Sequence, residues 1–507
     1  MSDLVLGRIQ RLADAMARQP DASPDAVAPP TQPTIGQPAA PKADARSENG
    51  GKRLGLVEQI ETAAKTEGLQ AAEDVIAKHE AYLWSKLSQV AEPLDPAQSL
   101  TYAERAFERA PQASQASYAR RVARLAHDVR DALPDDRVMQ ALLASGDAAD
   151  VALAARLLND GRVWRELAAA GFPMPKRRET PAFLPIPGKV LYCLHNSLPH
   201  DSGGYATRSH GVLQSVNRAG FSLVAYTRLG YPWDLARQAA KWRDFDGPAE
   251  DVIDGIVYRR LPTRTEGRRQ LPIDRYLARY AEEFEAVVRR ERPEILHAAS
   301  AYLVGVPTAA VARRLGIPFV YEVRGLWEVT HVSRDPAWAE SDQYAAYVRL
   351  ETQAAQAADA VLTLTNGLKQ ELVRRGVPEQ KIAVVPNSVD TDRFVALEPD
   401  RELARRLGVE GKRIVGYVGS FVDYEGLDDL LHAAAVVIDR GVDVRLLLVG
   451  DGAESSRLRD LVADLELTEH VIMPGRVPFE DVQRYYSLVD VAVFPRKPWP
   501  VTEMVSP

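Results

Sequence analysis

From residue 189 onward the sequence alternates short apolar runs with longer amphipathic segments, and this alternation limits the possible folds more than any other feature. Short runs rich in β-branched residues are typical of buried strands, and the segments between them have the periodicity of helices. The first set of predicted strands comprises Lys189–His195, Ser222–Tyr226, Gly255–Arg260, Ile295–Ala298, Phe319–Val323 and Ala360–Thr363. Alternation of this kind predicts an α/β fold with a mainly parallel, doubly wound sheet.

A second alternating set follows, and its predicted strands are Ile414–Val418, Val444–Val449, Val471–Met473 and Val491–Phe494. The sequence therefore predicts two Rossmann-like lobes in series, over residues 185–385 and 386–507. Ligands bind such sheets beyond the carboxyl ends of the strands. The glycine turns at Gly203, Gly204 and Gly419 follow predicted strands, so we expect the site in a cleft between the lobes.

The turn at Gly419 has the chemistry that an anion such as a diphosphate needs. Gly419 lets a ligand approach the backbone, and Gly426 opens an amphipathic helix whose free amides and positive dipole end attract negative charge. An ordinary turn between a strand and a helix explains the same residues equally well. Both interpretations stay open on the basis of this segment alone.

The residues before 173 follow other patterns. Residues 1–18 predict a short amphipathic helix with an apolar face formed by Val5, Ile9, Leu12 and Met16. Residues 19–52 are rich in Pro, Ala, Gln, Asp and Ser and predict a disordered linker, while residues 53–172 predict an all-helical region. We expect the N-terminal helices to bind a protein partner or a second copy of the chain, with contact to a membrane surface as the alternative.

Charge and cysteine content exclude several classes of protein. The net charge is −7 over 507 residues with the signs interspersed, which excludes the concentrated basic face of a nucleic-acid-binding protein. Cys193 is the only cysteine, so the chain has neither a disulfide framework nor a thiolate metal cluster. No apolar run approaches the roughly 20 residues that cross a bilayer. We expect a cytoplasmic protein, with association to the cytoplasmic face of the membrane left open.

The order of several motifs is similar to that of a known family. The motifs lie at Gly203–Gly204, Pro293–Ser300, Ile317–Gly325, Ala358–Thr365, Lys381–Phe394, Ile414–Phe421, Leu446–Gly452, Val471–Pro478 and Val491–Glu503. Together they resemble the retaining, nucleotide-sugar-dependent glycosyltransferases of family 4, which have the GT-B fold. The resemblance covers the chain from Lys189 to its end, and the PNSVDTDRF segment between the lobes is its most specific part.

This resemblance implies an activity and its partners. It implies transfer of a sugar from a nucleotide-diphosphate donor to an acceptor hydroxyl, with retention of the anomeric configuration and with no cofactor or metal ion. The C-terminal lobe would hold the donor and the N-terminal lobe would present the acceptor. The family suggests a polysaccharide or lipid-linked acceptor and work at the inner membrane.

The resemblance also assigns candidate site residues. The residues predicted to be catalytic are His297, Arg324 and Glu503, of which Glu503 would contact the donor sugar. The residues predicted to bind the donor are Gly203, Gly204, Gly419, Ser420, Glu425, Gly475, Arg476, Val477, Arg496 and Lys497.

Two departures from the family pattern concern the diphosphate. The family carries Arg directly after the glycine at 419 and Lys five residues later, whereas this sequence has Ser420 and Glu425. The usual cationic clamp is therefore absent. We predict that Arg496 and Lys497 supply the missing charge, with Arg324, which replaces a family histidine, reaching from the facing lobe.

A third departure concerns the end of the sequence. The family has a second glutamate that holds the donor ribose, and it would fall just beyond Pro507. The final helices of the family's C-terminal lobe have no counterpart here either. We therefore expect the C-terminal lobe to be incomplete in this sequence.

Structural explanations compete with the functional ones. His297 also fits a core histidine, Arg324 fits an ion pair with Glu322 or Glu328, and Arg496 and Lys497 fit a solvated pair of loop charges. At the level of function, a non-catalytic assembly protein of a polysaccharide-synthesis complex and a GT-B nucleotide-sugar epimerase are the alternatives. Ser420 and Glu425 favour the assembly protein, while the PNSVD segment and the loop of Glu503 favour transfer.

Overall fold

The computed structural model describes residues 69–92, 96–110, 115–126, 136–145, 147–201, 203–234, 249–261, 271–389, 391, 394–478 and 481–505. The helix predicted over residues 1–18 and the linker predicted over residues 19–52 lie outside this part of the chain. The described residues divide into two compact units, one up to Arg162 and one from Val163 onward.

The first unit is helical, as the sequence predicts. It contains α1 (Leu69–Ala91), α2 (Pro96–Arg109), α3 (Gln115–Leu125), α4 (Asp136–Ala144) and the first part of α5 (Ala148–Ala170). These helices bury a common apolar core that includes Leu100, Phe107, Val122, Leu142 and Leu157. None of the helices in the described ranges has an apolar stretch long enough to cross a membrane.

Helix α5 passes from the first unit into the second. Its last turns carry Val163, Trp164 and Leu167, which belong with Phe172 to the core of the sheet-containing unit. The sequence prediction grouped these residues with the helical region because they continue its periodicity. The structure shows that they help to bury one face of the first sheet.

The first sheet of the second unit has eight strands. They are β1 (Lys189–Leu194), β2 (Ser222–Thr227), β3 (Glu250–Ile253), β4 (Ile256–Arg259), β5 (Ile295–Ala299), β6 (Phe319–Val323), β7 (Ala360–Thr363) and β8 (Ile382–Val384). Their order is β3-β4-β2-β1-β5-β6-β7-β8, and all neighbours are parallel except β3 and β4. Asp254 and Gly255 form the tight turn between that pair, both with positive φ.

Helices cover both faces of this sheet. They are α6 (Gly204–Arg218), α7 (Ile273–Glu291), α8 (Tyr302–Leu315), α9 (Trp327–Arg334), α10 (Asp342–Ala357) and α11 (Asn366–Arg374). Leu191 and Cys193 of β1 face one apolar core, whereas Val190, Tyr192 and Leu194 face the other. Burial on both faces explains why the predicted strands are continuously apolar rather than alternating.

The second sheet has four parallel strands in the order β11-β10-β9-β12. They are β9 (Arg413–Ser420), β10 (Val444–Asp451), β11 (Val471–Gly475) and β12 (Val491–Ala492), with helices α12 (Arg401–Arg406), α13 (Leu427–Asp439), α14 (Ser455–Asp464), α15 (Val482–Tyr486) and α16 (Pro500–Met504). Two mainly parallel sheets in series confirm the predicted α/β fold class. Strands β3 and β8 were not predicted.

A buried carboxyl group on α10, Glu351, has a pKa raised well above its usual value. Glu351 of α10 accepts hydrogen bonds from the Tyr321 hydroxyl at 2.6 Å and from the Tyr302 amide at 2.7 Å. Burial, with a smaller contribution from the nearby charge of Glu328, raises the pKa of Glu351 to about 8. Between pH 4.5 and pH 8, the folded protein therefore binds a proton at Glu351 that the unfolded chain has released.

We predict that this proton makes the free energy of unfolding fall as pH rises from about 5 to 8, by roughly 1 kcal/mol per pH unit. Glu351→Gln mimics the neutral form and should remove that slope while keeping an acceptor for the Tyr302 amide. Urea unfolding of both proteins, followed at several pH values, measures the difference. Equal pH slopes for parent and variant would show that Glu351 is ionised in the folded state.

Candidate functional site

The carboxyl edge of the first sheet gathers the ends of its central strands. His195 follows β1, Ser300 follows β5 and Arg324 follows β6. Because β1, β5 and β6 are parallel neighbours, these residues lie along one edge. Helices α6 and α9 begin there as well, so their free amides point toward the same edge.

A buried cluster lies beneath this edge, and Glu322 of β6 is at its centre. The Glu322 carboxylate accepts hydrogen bonds from the Tyr192 hydroxyl at 2.5 Å, from Arg324 at 2.9 Å and from Arg208 of α6 at 3.0 Å. Burial alone would raise the pKa of Glu322, but the positive charges of Arg324 and Arg208 hold it well below its usual range. Two arginines around one carboxylate leave a net positive charge beneath the start of α6.

Arg324 fixes the first turns of α6 from below. One terminal nitrogen donates to the Tyr205 carbonyl at 3.1 Å and to the Ser209 hydroxyl at 2.7 Å, and the guanidinium lies 4.6 Å from the centre of the Tyr205 ring. The other pairs with Glu322, which is one of the two ion pairs considered from the sequence. Its side chain is only 6% exposed, so contact with a ligand stays a prediction for this residue.

His297 lies in the core below the edge. It is fully buried on β5, its ring stacks on Tyr192 at 4.1 Å, and its Nε2 lies 3.6 Å from Glu322. Burial lowers the pKa of His297, so the imidazole is neutral. This is the placement of a core histidine, and a catalytic role stays a prediction that requires the ring to become accessible.

Two glycines stand at the start of α6, and the space beside Gly204 is open. Gly203 precedes the helix and its amide donates to the Asp201 carboxylate at 2.8 Å. A Cβ atom on Gly204 would meet no protein atom within 4 Å. Protein packing therefore does not explain a glycine at this position, whereas close approach of a ligand to the helix amides would.

Protein packing does explain Gly419, near the end of β9, and Gly426, in the loop that follows this strand. A Cβ on Gly419 would lie 2.7 Å from the Tyr417 hydroxyl, and that hydroxyl donates to the Ser420 carbonyl at 3.0 Å. At Gly426, which has φ +70°, a Cβ would lie 2.0 Å from the Pro495 carbonyl oxygen. The loops after β9 and β12 are thus held in direct backbone contact, while the Ser420 residue is exposed.

This contact brings the predicted diphosphate ligands together in internal ion pairs. Arg496 Nε lies 3.3 Å from the Glu425 carboxylate, and Lys497 Nζ donates to Asp428 at 2.8 Å. Arg496 also donates to the Val505 carbonyl at 3.0 Å. Each cation is therefore already paired with a carboxylate, which resembles the pair of loop charges considered from the sequence. Binding of either cation to a diphosphate stays a prediction.

The remaining predicted donor residues follow β11. Gly475 ends this strand with φ +83°. Arg476 is exposed, and Val477 packs on the apolar core of the second sheet. Nearby, Asp451 accepts hydrogen bonds from the Ser455 hydroxyl at 2.5 Å and from the Gly452 amide at 2.8 Å, so its carboxylate stabilises the turn before α14.

Glu503 lies on the short helix α16, where the chain returns to the first sheet. The Val501 amide donates to the Ser333 hydroxyl of α9 at 3.2 Å, and Met504 and Val505 pack on the core of the first sheet. A Cβ on Gly367 would lie 3.1 Å from the Glu503 carbonyl oxygen. The Glu503 side chain is exposed and has no hydrogen bond or ion pair with any described residue, so it is available to a ligand.

One group at the edge was missed by the sequence reasoning. His195 meets the Trp327 ring at 4.8 Å and 87° and the Tyr205 ring at 6.4 Å and 81°. The position of His195 in the sequence could have indicated a site residue. It directly follows the first predicted strand, and the turn residues Gly203 and Gly204 come soon after it. In the part of the chain that the structure describes, no group of three or more potential metal ligands is found.

Two family models match most of the part of the chain that forms the two sheets. A model described as "Glycosyl transferase 4-like domain" matches residues 203–388, and one described as "Glycosyl transferases group 1" matches residues 400–503. Among solved structures, the sucrose-phosphate synthase of Thermosynechococcus elongatus is 20% identical, with 62% of this chain and 76% of that chain covered and a TM-score of 0.49.

Each of two curated relatives matches less than half of the chain. A 2-deoxystreptamine glucosyltransferase of Streptomyces kanamyceticus is 29% identical over 38% of this chain and 50% of its own length. A GDP-mannose-dependent alpha-mannosyltransferase of Mycobacterium tuberculosis is 29% identical over 48% of this chain and 60% of its own length. The chain thus spans about half the length of these relatives. With both family models matched in order along the two sheets, the chain belongs to the family 4-type glycosyltransferases of the GT-B fold.

Proposed function

We propose that the protein transfers a sugar from a nucleotide-diphosphate donor to an acceptor hydroxyl with retention of the anomeric configuration. The family membership supports transfer, and the names of mannosyl- and glucosyltransferases among the relatives support a hexose as the sugar. GDP-mannose is the first donor to test, since one relative is named as GDP-mannose-dependent. A surface polysaccharide or glycoconjugate is the proposed destination of the sugar.

The placement of Glu503 is the observation that carries this proposal. Helix α16 belongs to the C-terminal part of the chain, yet it packs against α9 and α11, which begin at the carboxyl edge of the first sheet. An exposed carboxylate is thereby held beside the helix that follows Arg324. A carboxylate at this position can accept hydrogen bonds from sugar hydroxyls and stabilise positive charge as the sugar departs from the diphosphate.

The diphosphate itself would be met mainly by backbone amides. Arg496 and Lys497 have carboxylate partners, whereas the first turn of α6 has space at Gly204 and overlies the two arginines that share Glu322, with Asp201 already bonded to the Gly203 amide. Helix amides and an underlying positive charge both favour an anion. Arg496 and Lys497 would then neutralise the carboxylates around the donor site rather than bind the diphosphate.

We propose that transfer needs no metal ion or cofactor, as the family resemblance implies, and that it occurs in the cytoplasm or at the cytoplasmic face of the membrane. The helical unit before residue 163 is proposed to bind a protein partner or a second copy of the chain. Activity in EDTA and the fraction of protein that sediments with vesicles would test these parts.

We predict that GDP binds and that Arg496 acts by neutralising Glu425. Arg496→Ala should weaken GDP binding by roughly tenfold, because the half-buried Glu425 carboxylate would then repel the diphosphate, while guanosine should be much less affected. Adding Glu425→Gln should restore affinity. Calorimetric titration of GDP, UDP, ADP and guanosine measures this, with Arg413→Ala at the opposite end of β9 as the control.

The double variant separates two roles for Arg496. Restored affinity would establish charge balance. Persistent weakness would instead show that Arg496 itself binds the diphosphate, as the sequence predicted. Absence of binding by all three diphosphates in the parent protein would contradict the proposed donor class.

We predict that Glu503→Gln lowers catalysis far more than nucleotide binding. Its carboxylate would stabilise the departing sugar, so kcat and kcat/KM should fall together by about a hundredfold or more, while GDP affinity stays within about twofold. Release of mannose from GDP-mannose and calorimetric titration of GDP supply the two measurements. Glu469→Gln, at an exposed position remote from α16, is the matched control.

An equal loss of GDP affinity and turnover in Glu503→Gln would place this residue in nucleotide binding instead. Absence of turnover in the parent, with each of GDP-mannose, UDP-glucose and ADP-glucose supplied, would favour the non-catalytic assembly protein.

A further inference from the structure

The group around His195 lies at the carboxyl edge of the first sheet and differs in character from the Glu322 cluster. The His195 amide donates to the Tyr205 hydroxyl at 3.1 Å, and that hydroxyl donates to the Ala299 carbonyl at 3.1 Å. Tyr205 therefore ties the end of β1 to the end of β5. Trp327, at the start of α9, completes the group, and both Trp327 and His195 are partly exposed.

The imidazole of His195 is neutral and has an unused hydrogen-bonding atom. Burial, assisted by the positive charge of Arg228, holds the pKa of His195 well below its usual value. Nδ1 is buried and has no hydrogen-bond partner among the described residues, whereas Nε2 is not among the buried unpaired atoms. A polar atom in this state costs free energy unless a water molecule or a ligand satisfies it.

The charges near His195 are balanced, so the group does not attract an anion. Arg228 pairs with Asp234 at 2.9 Å, and both side chains are buried. Arg228 also donates to the His195 carbonyl at 2.5 Å and to the Asn196 side chain at 3.2 Å. The excess positive charge of the edge lies instead under α6, where Arg208 and Arg324 share Glu322.

A neutral hydrogen-bonding ring beside a partly exposed indole suits a neutral polyhydroxylated ligand. Hydroxyl groups both donate and accept hydrogen bonds, as a neutral imidazole does, while the apolar faces of a sugar ring pack on aromatic surfaces. Sites of this kind combine aromatic walls with few polar groups that fix orientation. The edge thus divides into an anion-favouring part at α6 and a neutral part at His195 and Trp327.

We propose that His195 and Trp327 form the acceptor subsite, in which His195 hydrogen-bonds an acceptor hydroxyl and Trp327 packs on the acceptor sugar. This inference rests on the proposed transfer of a sugar to a hydroxyl. It adds that the acceptor is bound as a neutral sugar or polyol, through a residue that does not contact the donor phosphates.

Three substitutions separate hydrogen bonding from ring packing. His195→Phe keeps a ring against Trp327 and removes both nitrogens, whereas His195→Asn and His195→Gln lose the ring but place a polar atom near Nδ1 and Nε2, respectively. The full chain is supplied with GDP-mannose, and mannose transfer to 100 mM methyl α-D-mannopyranoside or methyl α-D-glucopyranoside is compared with mannose release to water. Water needs no acceptor subsite, so hydrolysis reports the donor reaction alone.

We expect His195→Phe to lower the ratio of transfer to hydrolysis at least tenfold, with hydrolysis within about threefold of the parent, and Asn or Gln to recover part of the ratio. Equal loss of transfer and hydrolysis in His195→Phe, or a ratio unchanged by that substitution, would overturn the subsite. Hydrolysis absent from the parent would instead contradict the proposed function, so the two failures are distinguishable.

A binding measurement supports the test independently of turnover. In protein labelled with 15N-histidine, the His195 ring signals, assigned by their loss in His195→Phe, should shift on addition of either methyl glycoside. The His210 ring is the matched control, since its Nδ1 lies 2.7 Å from the Tyr258 hydroxyl and its Nε2 2.9 Å from Asp254. Unshifted His195 signals with both glycosides at 100 mM would overturn the proposal.

Discussion

The buried carboxylate of Glu322 is the interaction on which the candidate site depends. It joins β1 through Tyr192, α6 through Arg208 and the end of β6 through Arg324. Arg208 extends this network to the segment between the sheets by donating to Asn387 at 2.9 Å. Removal of Glu322 would leave two arginines close together with little solvent, which is far more costly than the intact cluster. The orientation of α6 and of the segment between the sheets therefore depends on the ion pairs of Glu322.

The second sheet uses backbone contact and charge pairing for the same purpose. Gly426 lets the Pro495 carbonyl approach, and the Lys497 amide donates to the Tyr424 carbonyl at 3.0 Å. These contacts fix the loops so that Glu425 and Arg496 face each other in a half-buried pair. Burial raises the pKa of Glu425, and the charge of Arg496 opposes that rise. The Glu425 carboxylate stands where the family resemblance leads us to expect a lysine. It is tolerated because Arg496 neutralises its charge within the same loops.

The sequence predicted the fold well because strands that are buried on both faces are continuously apolar and easy to recognise. Strand β3 was missed because its EDVI segment is half charged, although the Asp254–Gly255 turn before β4 was a usable hairpin signal. The sites were harder to predict, since spacing along the chain does not show which side chain points into the core. His297 lies within an apolar strand and His195 directly follows one, yet His297 is fully buried and His195 is partly exposed. Likewise, no pattern in the sequence shows that Arg496 and Lys497 have carboxylate partners.

Charge placement along the first sheet then gives the two ligands of a transfer reaction different environments. Excess positive charge is held beneath α6, where an open helix start can receive a diphosphate, and the region of His195 and Trp327 is electrically balanced. A donor with two negative charges is therefore discouraged from the neutral part, and a neutral acceptor gains little from the charged part. Glu503 lies on α16, which the return of the chain to the first sheet brings against Ser333, in the last turn of the helix that begins with Trp327. Because α16 packs on the helix that carries Trp327, the sugar and the receiving hydroxyl can be oriented by elements that are fixed relative to each other.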